Sequence, residues 1–182
     1  MIEGTLRVAA GLQPPRLVMR MTPGRVQRFK DAQNQPASGY ETALAEITAG
    51  AKRSHWIWYV FPQLSGLGHS AASVSYGLDG LAEAEDYLRD PLLRSRLLTI
   101  ATAVAERLGK GGEHPVERVM GSSIDAAKLV SSMTLFRHAG EHLHATEGLD
   151  EYASMSRVAE EILAAAAAEG YPRCQFTLSR LR

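Results

Sequence analysis

Residues 52–63 read KRSHWIWYVFPQ. Both tryptophans of the 182-residue chain fall here, two positions apart, beside a histidine, a tyrosine and a phenylalanine. How this block is read decides the fold class, because a short run of large apolar residues suits a buried strand as well as a helical turn. We read it as helix ending before Pro62, since no part of the chain shows the sustained apolar–polar alternation of a half-buried strand. In a helical turn Trp56 and Trp58 point in different directions, so one packs inward while Trp58 or His55 faces outward.

The flanking sequence is helical in pattern. Upstream, Tyr40–Ala49 carries Tyr40, Ala43, Leu44 and Ile47 on one stripe, with Gly50 as its stop. From Thr22 a first helix places Val26, Phe29 and Ala32 or Gln33 on one face and ends before Pro36. Downstream, LSGLGHSAASVSYGLDG (64–80) is a Gly- and Ser-rich loop with one short turn near 73–76, and irregular stretches of this length are often functional. Asp79 is placed to cap a helix over 81–88, Pro91 opens one reaching Leu108, and KGGE (110–113) is a turn. Pro115–Met120 is a short helix. Ser123 is expected to cap a helix from 124 to about 138, with Gly140 interrupting any continuation, and the Ala-rich stretch 152–169 is the last helix. These segments predict an all-α fold: a compact single-domain orthogonal assembly of about six to eight helices over residues 22–182. Residues 1–21, with Glu3, Arg7 and a Pro-Pro break, read as a disordered extension or a mis-assigned start, and as neither signal peptide nor membrane anchor.

Charge and cysteine usage narrow the function. Twenty basic and twenty acidic residues leave a net charge of zero, so no overall field draws the chain to nucleic acid or an anionic membrane. The single cysteine, Cys174, forms no internal disulfide and cannot build a cysteine-rich zinc site, which fits a reducing cytoplasm. It is expected to be inert packing or a free thiol.

Three blocks stand out: AKRSHWIWYVFPQLSGLGHS (51–70), YGLDGLAEAEDYLRDPLLRSRL (76–97) and IDAAKLVSSMTLF (124–136). In this order they resemble the bacterial domain-of-unknown-function family numbered 1810, over residues 26–137. The resemblance implies an all-helical single domain with no assigned reaction. The calpastatin label that some relatives carry is set aside, since nothing here resembles a disordered calpain inhibitor. After His138 the chain departs from the family's pattern.

Candidate site residues follow from these blocks. In the first, Trp56 or Trp58 can stack on a planar ring, His55 can exchange a proton near neutral pH, and Lys52 or Arg53 can hold an anion. Gln63, Gly66, Gly68, Ser70 and Ser73 add amide, backbone and hydroxyl donors in a loop able to approach a ligand closely. SGLGHS is neither a P-loop nor a Rossmann fingerprint. In the third block, Lys128 with Ser131 and Ser132 three and four residues on, Asp125 three before and Thr134 nearby forms a polar cluster able to bind phosphate or carboxylate. The plainer alternatives are that the hydroxyls bond back to helix carbonyls, that Asp125 merely pairs with Lys128, and that the tryptophans are core.

The preferred reading is a pocket for a small anionic, nucleotide- or phosphate-like ligand between the HWIWYVFPQ block and the KLVSSMTLF helix, without a cofactor. The first alternative is an enzyme with His55 as general acid or base and Lys128, Ser131 and Ser132 stabilising charge. The second is a protein-interaction module, with homo-oligomerisation open. His138, His142 and His144 cluster near Glu141, but with Gly140 between them and no HExxH pattern they are not read as a metal site.

Overall fold

The computed structural model describes residues 24–110 and 115–181. Among them the helical patterning becomes ten helices: α1 (Gln27–Gln33), α2 (Tyr40–Ala49), α3 (Ile57–Val60), α4 (Ala71–Ser75), α5 (Gly80–Arg89), α6 (Pro91–Gly109), α7 (Pro115–Met120), α8 (Ser123–Glu147), α9 (Asp150–Ala168) and α10 (Gln175–Arg180). No strand forms among the described residues; a single bridge joins Leu64 to Leu78. The fold is all-α, as the patterning predicts, with more helices than six to eight because short turns and the unanticipated α10 form as well. The extension at 1–21 and most of the 110–113 turn lie outside the described residues.

Local chemistry sets most boundaries. Gly50 ends α2 with φ 109°, a left-handed conformation that costs glycine least. Asp90 caps α6 by accepting from the N–H groups of Leu92 and Leu93, with Pro91 at the tolerated first position. Asp79 does stand before α5, but its side chain makes no cap; the Glu83 carboxylate accepts the Asp79 N–H at 2.7 Å instead. The cap of α8 is Ser122 rather than Ser123, accepting from Asp125 N–H.

The break expected at Gly140 does not occur. α8 runs through it to Glu147, and glycine stands there because a Cβ would lie 2.7 Å from the Tyr152 carbonyl oxygen of α9. A helix-interior glycine costs about 1 kcal/mol relative to alanine, and here close packing of α8 on α9 offsets it.

The block at 52–63 contributes only one helical turn, α3; the rest is irregular and is organised by Glu46 of α2. That carboxylate accepts from the N–H groups of Arg53 and Ser54, the Ser54 hydroxyl and the Trp56 indole. Burial alone would raise the Glu46 pKa, but the hydrogen bonds from Ser54, Arg53 and Trp56 outweigh it and bring it down to about 2. With its one polar atom satisfied, Trp56 is fully buried, 6.2 Å from the Phe61 ring. Phe29, Tyr87 and Phe136 form an adjoining aromatic cluster in the same core, with edge-on and tilted rings. Gln33 is buried at its edge, donating to Tyr59 O and the Tyr87 hydroxyl.

Candidate functional site

Trp58, on α3, is half-buried against the core that holds Trp56 and forms one wall of a cleft of about 510 Å³. The opposite wall is one face of α8: Ile124, Ala127, Lys128 and Ser131 recur at the three- and four-residue spacing that keeps them on one stripe. Gln63 and the loop residues Leu67, Gly68, His69, Ser70 and Ser73 complete the lining. Gln63 is fixed by donating its amide to the Lys128 carbonyl oxygen at 3.2 Å, which ties the residue after Pro62 directly to α8.

Charge in the wall is arranged around one carboxylate. Asp125 accepts from Lys52 Nζ at 2.6 Å on one oxygen and from Lys128 Nζ at 2.7 Å on the other. Burial opposes ionisation of Asp125, but the bonds from Lys128 and Lys52 keep its carboxyl below the ordinary range. Each lysine also stands over a tryptophan: Lys52 Nζ lies 5.3 Å from the Trp56 ring centroid and Lys128 Nζ 4.6 Å from that of Trp58. The Lys52 side chain is 8% exposed and lies behind the wall, whereas Lys128 is 22% exposed and lines the cleft. Two cations share one anion, and the remaining positive charge is on the cleft side.

The structure divides the candidate residues. Trp58, Gln63, Gly68, Ser70, Lys128 and Ser131 come together in the lining. Trp56 is closed to any ligand by complete burial. Ser132 is also fully buried, because its position four residues after Lys128 turns it past the cleft stripe toward the core. Thr134 is buried too, its hydroxyl donating to Val130 O and accepting the Cys174 N–H. Lys52 acts behind the wall. Gly66 makes a turn at φ 91° against the Phe176 ring. His55 is exposed and is not part of the lining.

The Ser–Lys arrangement does not assemble: Ser131 donates to Ala127 O at 3.0 Å, Lys128 donates to Asp125, and no hydrogen bond joins Lys128 to Ser131 or Ser132 among the described residues. Residues that sequence reasoning passed over as ligand contacts are His69, Leu67, Ile124 and Ala127. Ile124, Ala127, Lys128 and Ser131 show the helical spacing of a common face, which was the available signal; His69 had only its place in the Gly-Ser loop.

Elsewhere the histidines diverge. His142 Nδ1 lies 2.5 Å from Glu85, and His144 Nδ1 lies 3.2 Å from the Leu149 carbonyl oxygen. Cys174 heads α10 as a free, half-buried thiol. Burial opposes ionisation, but the hydroxyls of Ser131 and Thr177 and nearby backbone N–H groups outweigh it and lower the thiol pKa.

The sequence pattern of a family described as proteins of unknown function, DUF1810, matches residues 23–162. The chain belongs to the DUF1810 family. This DUF1810 chain is also similar to the conserved hypothetical protein Rv1873 from Mycobacterium tuberculosis, known from a crystal structure at 1.38 Å. The two are 34% identical with a TM-score of 0.64, over 86% of this chain and 96% of the other. No curated protein matches the chain. No helix among the described residues of this family member is long and apolar enough to cross a membrane.

Proposed function

We propose that this DUF1810 protein binds a small organic anion, nucleotide- or phosphate-like, in the cleft between Trp58, the 67–73 loop and α8. The observation that carries the reading is the Lys52–Asp125–Lys128 arrangement. Lys52 balances Asp125 from behind, so Lys128 keeps an effective positive charge on the open side without needing to leave its carboxylate partner. An ammonium held in place beside an indole is a point charge already oriented for a phosphate.

The rest of the lining supports the same class of ligand. Trp58, Leu67 and Ile124 offer apolar surface for a flat ring, while the Ser70 and Ser73 hydroxyls, the Gln63 amide and the His69 imidazole are groups that can meet oxygen atoms. A cleft of about 510 Å³ lies within the usual range for small-molecule sites.

The test is a thermal-shift and tryptophan-fluorescence titration with adenosine monophosphate, adenosine and inorganic phosphate. A ligand at a hundredfold its dissociation constant adds about 2.7 kcal/mol of stability. The monophosphate should shift the melt, adenosine should do so weakly or not at all, and Lys128→Ala should remove the response. A response that persists in Lys128→Ala rejects the cleft as the anion site.

A further inference from the structure

The loop on one side of the cleft is built differently from everything around it. Its base is closed: Ser65 N–H donates to Leu78 O at 2.9 Å and Leu78 N–H to Gln63 O at 2.8 Å, and both Leu64 and Leu78 are buried. The far end is also held, since Arg28 donates to Ser75 O and Gly77 O, each at 3.0 Å, and the Tyr76 ring packs on Phe29 and Tyr59. Between these anchors the hydrogen bonds of residues 67–74 are local to the loop, such as Tyr76 N–H to Ala72 O at 3.0 Å, and no side-chain hydrogen bond or ion pair joins these residues to another element among the described residues.

Within that span, α4 has no buried residue, and Val74 is 69% exposed. Ser70 and Ser73 bond one another, hydroxyl to hydroxyl at 2.7 Å and through their backbone atoms, so their polar groups are satisfied only inside the segment. His69 has no hydrogen-bond partner among the described residues. Glycines stand where the segment leaves its anchors. Gly66 has φ 91°, and Gly77 packs so closely that a Cβ there would meet the Ser65 Cα at 2.9 Å and the Ser73 carbonyl oxygen at 3.0 Å. A short helix tied at both ends, buried nowhere and lining a charged cleft has the low local stability from which closing elements are drawn.

We propose that residues 67–74 form a strap that closes over the cleft on a bound anion, turning the Ser70 and Ser73 hydroxyls from each other onto the ligand opposite Lys128. The strap rests on the reading of the cleft as an anion site and adds how that site is completed. Closure removes water from around Lys128, which strengthens its attraction for the anion. The anion in turn supplies the partner that the strap lacks in the open form. No covalent step is involved.

Hydrogen exchange on the full chain, with and without saturating adenosine monophosphate, tests the strap, and Trp58 fluorescence in a Trp56→Phe background reports binding separately. Without ligand, the amides of 67–74 should exchange at least tenfold faster than those of Ser65 and Leu78. The monophosphate should slow the strap amides tenfold or more and leave α9 unchanged. Ser70→Ala combined with Ser73→Ala should keep the melting temperature and weaken binding of the monophosphate and of inorganic phosphate about tenfold. Binding seen by Trp58 with no change in strap exchange overturns the strap and leaves the anion site standing. Strap amides as protected as Leu78 without ligand, or a double variant that binds normally, also overturn it; absence of binding by Trp58 overturns both readings.

Discussion

The two tryptophans stand two residues apart, each under a lysine, and the two lysines share one aspartate, yet the two halves of this arrangement do opposite things. Trp56 precedes α3, donates its indole N–H to Glu46 and is fully buried, with Lys52 behind the cleft wall. Trp58 lies inside α3, turned about 200° away, and faces the cleft together with Lys128. The same residue types make a structural pair and a binding pair. What separates them is whether the polar atoms are satisfied within the fold or left facing water.

The widest gap between the halves should appear in the tryptophans. Trp56→Ala is expected to cost about 3–5 kcal/mol of unfolding free energy in urea melts. Trp58→Ala should cost about 1 kcal/mol and instead abolish the response to adenosine monophosphate. Equal losses would erase the distinction between core and site.

The lysines come next. Lys52→Ala removes the buried partner of Asp125 and should cost about 2–3 kcal/mol, the low side for a broken buried pair because Lys128 still neutralises the carboxylate. Lys128→Ala leaves Asp125 with Lys52 and should cost about 1 kcal/mol or less while removing anion binding. A Lys52 variant that is fully stable but fails to bind would mean that both lysines face the ligand.

The Glu46 anchor of the structural half sharpens the contrast through pH. Its pKa is depressed from 4.5 in the unfolded reference to about 2 in the fold, so its contribution is present above pH 4.5 and is lost as pH falls toward 2. Glu46→Gln should lower stability by about 1–3 kcal/mol at neutral pH and flatten the loss of stability between pH 4.5 and 2. Unchanged acid unfolding in this variant would show that another carboxylate governs that window. Asp125 titrates in the same direction, its contribution being lost on acidification, so the Glu46 variant should retain some acid sensitivity.

The smallest effects on folding separate two histidines. His69→Ala and His55→Ala should each change stability by no more than about 0.5 kcal/mol, as exposed positions do. Only His69→Ala should weaken phosphate binding in the fluorescence titration, because only His69 lines the cleft. An effect from His55→Ala would place that imidazole in the site after all.

Much of this was legible residue by residue. The stripe Tyr40, Ala43, Ile47 with its terminal Gly50 gave α2 its bounds, since helix period and left-handed glycine are local properties. The KLVSSMTLF segment revealed a polar cluster, and four residues of its helix do line the cleft. Gly140 misled because its meaning is not local: a glycine that reads as a break in sequence is the point where α9 crosses α8. Ser132 misled for a related reason. It stands four residues from Lys128 where Ser131 stands three, both spacings share a helix face with the lysine, and only the direction of the core shows which of the two hydroxyls is turned inward.

The sequence by itself determined the helical class, most helix boundaries and the family, because these follow from periodicity, caps and residue chemistry within about a dozen positions. The tertiary structure decided which tryptophan is core and which is wall, that Lys52 and Lys128 meet on one Asp125, and that His69 rather than His55 borders the cleft. Those outcomes depend on contacts between residues 52 and 125, or 63 and 128, which no local pattern encodes, and on burial, which is set by how the helices pack on one another.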